Sequence, residues 1–93
     1  MTLHIVNQSP HAGNALNDCL EAFHEGDILL LIEDGVYAAA TAAPARFTQS
    51  VVYCLSADAQ ARGIEIDPSI RAIDDVQWVD LCTQHNPIVS WFR

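Results

Sequence analysis

Lysine is absent from the chain. Four arginines (Arg46, Arg62, Arg71 and Arg93) stand against 12 acidic residues, for a net charge of −8. Nucleic-acid binding through phosphate neutralisation needs clustered Lys and Arg, so direct contact with nucleic acid is not expected. Long apolar runs are missing as well. The most strongly apolar one, Ile28 to Ile32, is far too short to cross a bilayer. The opening Met1-Thr2-Leu3-His4 lacks the basic region and apolar core of a secretory signal, which leaves a cytoplasmic chain without membrane contact as the expectation. Paired cysteine spacing is lacking: Cys19, Cys54 and Cys82 are odd in number and read as reduced thiols rather than a disulfide framework. The four histidines (His4, His11, His24, His85) are scattered, with no C-x-x-C and no H-x-x-x-H, so no metal site is expected. G-x-G-x-x-G and the P-loop pattern are both absent, and no cofactor is implied.

What the chain has in quantity is apolar surface. Hydrophobic residues make up 51% of the 93 positions. A domain this small buries only about two-thirds of its unfolded surface. Part of that apolar area is therefore expected against another chain, and oligomerisation follows.

The pattern along the chain alternates strands with helices over a single domain, residues 1–93. Thr2 to Val6 is β-type and runs into the turn cluster Asn7-Gln8-Ser9-Pro10. A helix begins near Asn14, with Ala15, Leu16, Cys19, Leu20 and Phe23 at helical spacing on one face. Gly26-Asp27 closes that unit. Ile28 to Ile32 and Ser50 to Leu55 are apolar without alternation, as in strands covered on both sides of a parallel sheet. Between them Val36 to Ala43 reads as a short helix ended before Pro44. Ser56 caps a helix through Arg62, with Gly63 as its C′ residue. Ile70 to Ile73 is a further strand, Asp75 to His85 a helix with Asp74 or Asp75 at its N-terminus, and Ile88 to Phe92 a last strand beyond Pro87. This order predicts an open α/β sheet with right-handed crossovers.

Four blocks, in order and at the right spacing, resemble one family. Leu3-His4-Ile5-Val6-Asn7-Gln8-Ser9-Pro10 resembles the "LHTVN-SP" opening of the DsrH/TusB family. Gly26-Asp27 followed by Glu33-Asp34-Gly35-Val36-Tyr37-Ala38-Ala39 resembles its "GD…L.EDGVYAA" block. Val52-Tyr53-Cys54-Leu55, Asp58 and Ala61-Arg62-Gly63-Ile64 resemble "VYVL..D..ARG". Ile73-Asp74, Val79-Asp80-Leu81, His85 and Trp91 fit "VDY..FVDL…H….AW". Asp75 departs from the pattern, where an aromatic residue is usual, and the segment from Ala40 to Gln49 is short. The resemblance implies a small three-layer flavodoxin-like (DsrE-like) α/β fold with a mainly parallel sheet of about four to five strands. It also implies a cytoplasmic sulfur-relay subunit without independent turnover. Such a subunit assembles with DsrE/TusD-like and DsrF/TusC-like subunits into a heterohexamer, a dimer of heterotrimers. That complex passes persulfide sulfur to a carrier of the DsrC/TusE type, for tRNA 2-thiouridine formation or for sulfur oxidation. The principal sulfur-accepting cysteine is implied to lie on the DsrE/TusD-like subunit.

A persulfide acceptor must present a thiolate, since the thiolate and not the thiol attacks the donor sulfur. Cys19 stands where many DsrH-type members carry a cysteine, and it is the candidate accessory sulfur acceptor. Its mid-helix apolar position beside Asp18 and Glu21 also suits a small buried hydrophobe. Cys54 near a strand end and Cys82 behind Trp78 and Val79 read as packing residues. Glu33-Asp34-Gly35 reads as a tight turn with acidic residues at the following helix N-terminus, and Tyr37 with its alanines as a surface another chain could approach. Trp91-Phe92 are expected to close a subunit contact. Three readings stand at this level: a subunit of a hetero-oligomeric carrier, a stand-alone DsrE-like homo-oligomer accepting sulfur on Cys19, and a scaffold whose cysteines are inert.

Overall fold

The computed structural model describes residues 2–40 and 51–92. Five strands form one all-parallel sheet: β1 (Leu3–Val6), β2 (Ile28–Leu31), β3 (Val51–Leu55), β4 (Arg71–Ile73) and β5 (Ile88–Trp91), in the spatial order β4-β3-β2-β1-β5. Helix α1 (Ala15–Glu21), a 3₁₀ helix (Glu33–Ala39), α2 (Ser56–Ala61) and α3 (Asp75–Gln84) connect them.

The strand order dictates how the helices are shared out. From β1 to β4 the chain moves steadily in one direction across the sheet, and right-handed crossovers moving one way lie on one face. From β4 it must return past the whole sheet to reach β5, and that connection lies on the opposite face. The packing follows this rule. Val6, Leu29, Leu31, Val52 and Cys54 meet Leu16 and Cys19 of α1, Val36, Ala38 and Ala39 of the 3₁₀ helix and Ala59 of α2. On the second face Leu3, Ile5, Ile28, Leu30, Ile32, Leu55 and Ile73 meet, among the described residues, only α3, through Leu81, Trp78 and Cys82. The core of β1 and β2 is buried throughout, the pattern that continuous apolar strands require.

Local chemistry sets the element ends. Asp74 caps α3 through a capping box: its carboxylate accepts from the Gln77 N–H at 2.8 Å, and Gln77 Oε1 accepts from the Asp74 N–H at 2.9 Å. Gly63 follows α2 with φ +65°, the left-handed conformation that makes glycine the natural residue there. Two expected caps act differently. Asn14 makes no side-chain bond to α1, whose first N–H is taken by Gln8 Oε1 at 3.3 Å. Ser56 lies inside α2 rather than before it.

The helix expected over Val36 to Ala43 is a 3₁₀ helix that starts earlier, at Glu33, and stops at Ala39. It stops because Ala39 gives its carbonyl to the Asp67 N–H (2.8 Å) and Ala40 turns extended to bridge Ile66. Residues 41–43 of the expected helix and Ser50 of the expected strand lie outside the described residues. The turn before the 3₁₀ helix also differs from expectation. The left-handed residue is Glu33 (φ 48°), while Gly35 is required because a Cβ there would collide with the carbonyl oxygen of Val6.

Candidate functional site

Cys19 is fully buried between α1 and the sheet, and its thiol is pushed up to about 12 by burial and by the negative charge of Asp27. Cys54 is buried on the same face. Its thiol is raised to about 11 by burial and by Asp58. Cys82 is half-buried beneath α3 and packs on the second core. The three thiols are unpaired. In this position Cys19 exposes no surface, and burial disfavours its thiolate.

Beside Cys19 lies a polar network within the apolar core. His4 points from β1 into the first face, where its ring contacts Phe23 (centroids 4.7 Å). Trp91 Nε1–H donates to His4 Nδ1 at 3.0 Å. An indole N–H can only donate, so Nδ1 is the acceptor and the ring proton sits on Nε2. Nε2 in turn lies 3.0 Å from Asp27 Oδ2. Asp27, 6% exposed, also accepts from the Thr2 N–H (3.0 Å) and the His24 N–H (3.0 Å). Burial alone would raise its carboxyl; the hydrogen bonds from His4, Thr2 and His24 outweigh that and hold it at about 2. Both His4 nitrogens are occupied by protein partners, which leaves neither free as a general base. What the network does is mechanical. It ties β5 to the turn before β2 across β1, and it satisfies the groups that burial would otherwise leave unpaired.

A second cluster lies at the C-terminal ends of β2 and β3, the edge where open α/β sheets carry ligands. The Glu33 N–H donates to Asp58 Oδ2 at 2.7 Å. Arg62 Nε donates to Asp34 Oδ1 at 2.9 Å and Arg62 Nη1 to the Asp58 carbonyl at 3.1 Å. These bonds clamp the 3₁₀ helix onto α2. The Asp34–Arg62 pair is solvent-accessible and contributes little to stability by itself. Among the described residues the bonds of this cluster join only Glu33, Asp34, Asp58 and Arg62, with no nucleophilic side chain among them.

His11 and His24 are exposed, and His85 Nδ1 bonds the Leu81 carbonyl at 2.9 Å. Among the described residues no group of three or more His, Cys, Asp or Glu side chains is placed to hold a metal ion. Of the expected contact pair, Trp91 packs inside its own chain through His4, whereas Phe92 is 54% exposed. Val79, expected on the packed side of α3, is 63% exposed; the packed stripe is Trp78, Leu81 and Cys82. The His4–Asp27–Trp91 network was missed by spacing arguments because its members are 23 and 87 positions apart. The available signal was that all three fall within the motif blocks quoted for the family.

The model of the family of DsrH-like proteins matches residues 8–88. The chain belongs to the DsrH family. The TusB protein of Pectobacterium parmentieri is 34% identical over 95 residues, covering 96% of this chain and 99% of that protein. The TusB protein of Shigella sonnei is 34% identical over 97 residues with the same coverage. Among solved structures, the ychN protein from E. coli superposes with a TM-score of 0.78 over 96% of this chain and 97% of that one. At 13% identity that likeness shows the fold alone, the DsrE-like α/β architecture. This DsrH-family chain is thus a sulfur-relay subunit by family, and no helix among its described residues is long and apolar enough to cross a membrane.

Proposed function

We propose that the chain is a non-catalytic subunit of a cytoplasmic persulfide-relay complex, assembled with DsrE/TusD-like and DsrF/TusC-like subunits into a heterohexamer. The complex hands sulfur to a carrier of the DsrC/TusE type. The relatives named above are TusB proteins, which favours tRNA 2-thiouridine formation over sulfur oxidation as the pathway served. The observation that carries the reading is the state of Cys19. The family fold is present over the chain's length, yet this thiol is sealed in the core and its pKa raised to about 12. A chain built this way contributes surface and shape, and the sulfur travels on a neighbouring subunit.

The competing reading is a stand-alone homo-oligomer that takes sulfur on Cys19, and it requires α1 to lift from the sheet. Two measurements decide. Light scattering of the chain mixed with the two partner subunits should show a hetero-assembly. Intact-mass spectrometry of the reduced chain with a persulfide donor should show no gain of a sulfur atom. A one-sulfur gain that vanishes in Cys19→Ala, with no hetero-assembly, would replace the proposal by the independent carrier.

A further inference from the structure

Among the described residues the second face of the sheet is served by a single ten-residue helix, because only one crossover returns from β4 to β5. An α-helix is about 10–12 Å across with its side chains, whereas five strands spread over about 19 Å at the usual spacing. The consequence is visible in the register. The row Val51, Ile28, Leu3, Ile88 runs across β3, β2, β1 and β5 on this face. Its two inner members are buried, and its two outer ones, Val51 (45%) and Ile88 (43%), are exposed. The helix adds to this. Trp78, Leu81, Cys82 and His85 make its inward stripe, and Val76 (77% exposed), Val79 (63%), Asp80 and Thr83 its outward one. Four of the six large exposed hydrophobic side chains among the described residues thus lie on this one face.

Charge says what covers it. Asp74, Asp75 and Asp80 are exposed on or at the start of α3, and no basic residue occupies its last turn. The nearby Arg71 is engaged over the Tyr53 ring, 5.8 Å from its centroid. A second copy is a poor occupant. A two-fold contact would set Asp75 and Asp80 against the same residues of a chain that has no lysine and a net charge of −8. We propose that the outward face of α3, with Val51 and Ile88 beside it, seats a different subunit whose matching surface is apolar and rimmed by lysine or arginine. The inference rests on the hetero-oligomeric reading above and adds the face and the chemistry of the partner.

The test compares association of the intact chain with the partner subunits for four proteins: wild type, Val76→Glu/Val79→Glu, Asp80→Lys and Glu21→Lys. Glu21 is exposed on α1, on the other face, so its reversal changes charge equally without touching α3. Circular dichroism and the unfolding midpoint of each free variant verify that it folds, which exposed positions make the expected result. The double variant should weaken assembly by about tenfold or more. Asp80→Lys should weaken it less and flatten its dependence on salt, and Glu21→Lys should leave it unchanged. If wild type assembles and the double variant assembles equally well, the α3 face is overturned while the hetero-oligomer stands. If wild type does not assemble, the functional reading itself fails. A homodimer of the isolated chain that Val76→Glu/Val79→Glu dissociates would replace the basic-rimmed partner by a second copy.

Discussion

The two faces of the sheet are made from equally apolar strands but are closed to different degrees. On the first, α1, the 3₁₀ helix and α2 bury Cys19 and Cys54 and enclose a His–Asp–Trp network. On the second, α3 buries only Leu81 completely among its own residues, and apolar side chains remain exposed on the helix and on the strands to either side. The cause is topological: three crossovers run one way and one runs back. Three connections close one face, and the single returning helix leaves apolar side chains exposed on the other.

This contrast can be broken by mutation, and the largest effect is expected in the closed face. Leu29→Ala, in mid-strand with no exposure, should destabilise the isolated chain by about 4 kcal/mol in chemical denaturation. Leu81→Ala on the open face should cost about 2 kcal/mol, since the site can relax toward solvent. Equal costs would mean that the two faces are equally well packed.

Next in size is the buried network. Asp27→Ala removes the acceptor of three hydrogen bonds and should cost about 3 kcal/mol. Trp91→Phe keeps an aromatic side chain but leaves His4 Nδ1 without a donor, and should cost about 1 kcal/mol or more. The pH dependence has a definite sign. The folded carboxyl of Asp27 lies below its unfolded value of 3.8, so its stabilisation is complete above that value and lost as pH falls toward about 2. Acid titration of unfolding free energy should lose this component in Asp27→Asn; an unchanged profile would show that the carboxylate is not held by the network.

The cysteines sharpen the comparison without perturbing the fold. Under native conditions iodoacetamide should label Cys82 well before Cys19 or Cys54, which should react only on unfolding. Cys19 labelled as fast as Cys82 would show that α1 opens readily. The smallest effect belongs to the open face itself. Val76→Glu/Val79→Glu should change the stability of the free chain by less than about 0.5 kcal/mol, because both side chains already face solvent.

Much of this was legible in the amino-acid sequence, and the parts that were not have physical reasons. The runs Ile28 to Ile32 and Ser50 to Leu55 announced strands covered on both sides, which holds along β2 but not at Val51 of β3, exposed on the second face; Asp74 and Gly63 marked helix ends as expected. The 3₁₀ helix was read too far along the chain, because its end is set by Asp67 and Ile66, more than twenty residues downstream, and local propensity carries no trace of them. Spacing placed Trp78, Val79 and Cys82 on one packed side. A helix touching the sheet through a narrow stripe uses only Trp78 and Cys82 of these and turns Val79 outward. Trp91 was assigned to a subunit contact for its place near the terminus; His4, on the neighbouring strand, draws it inward. The family blocks did contain His4, Asp27 and Trp91, but no sequence rule joins residues so far apart into one network.

Whether this chain completes its second face with another subunit can be read by hydrogen exchange measured by mass spectrometry. Free chain and chain in the assembly with its partner subunits would be compared peptide by peptide. New protection is expected over α3 and β5, with α1 and α2 unchanged. Protection confined to α1 and α2, with α3 exchanging as in the free chain, would contradict it.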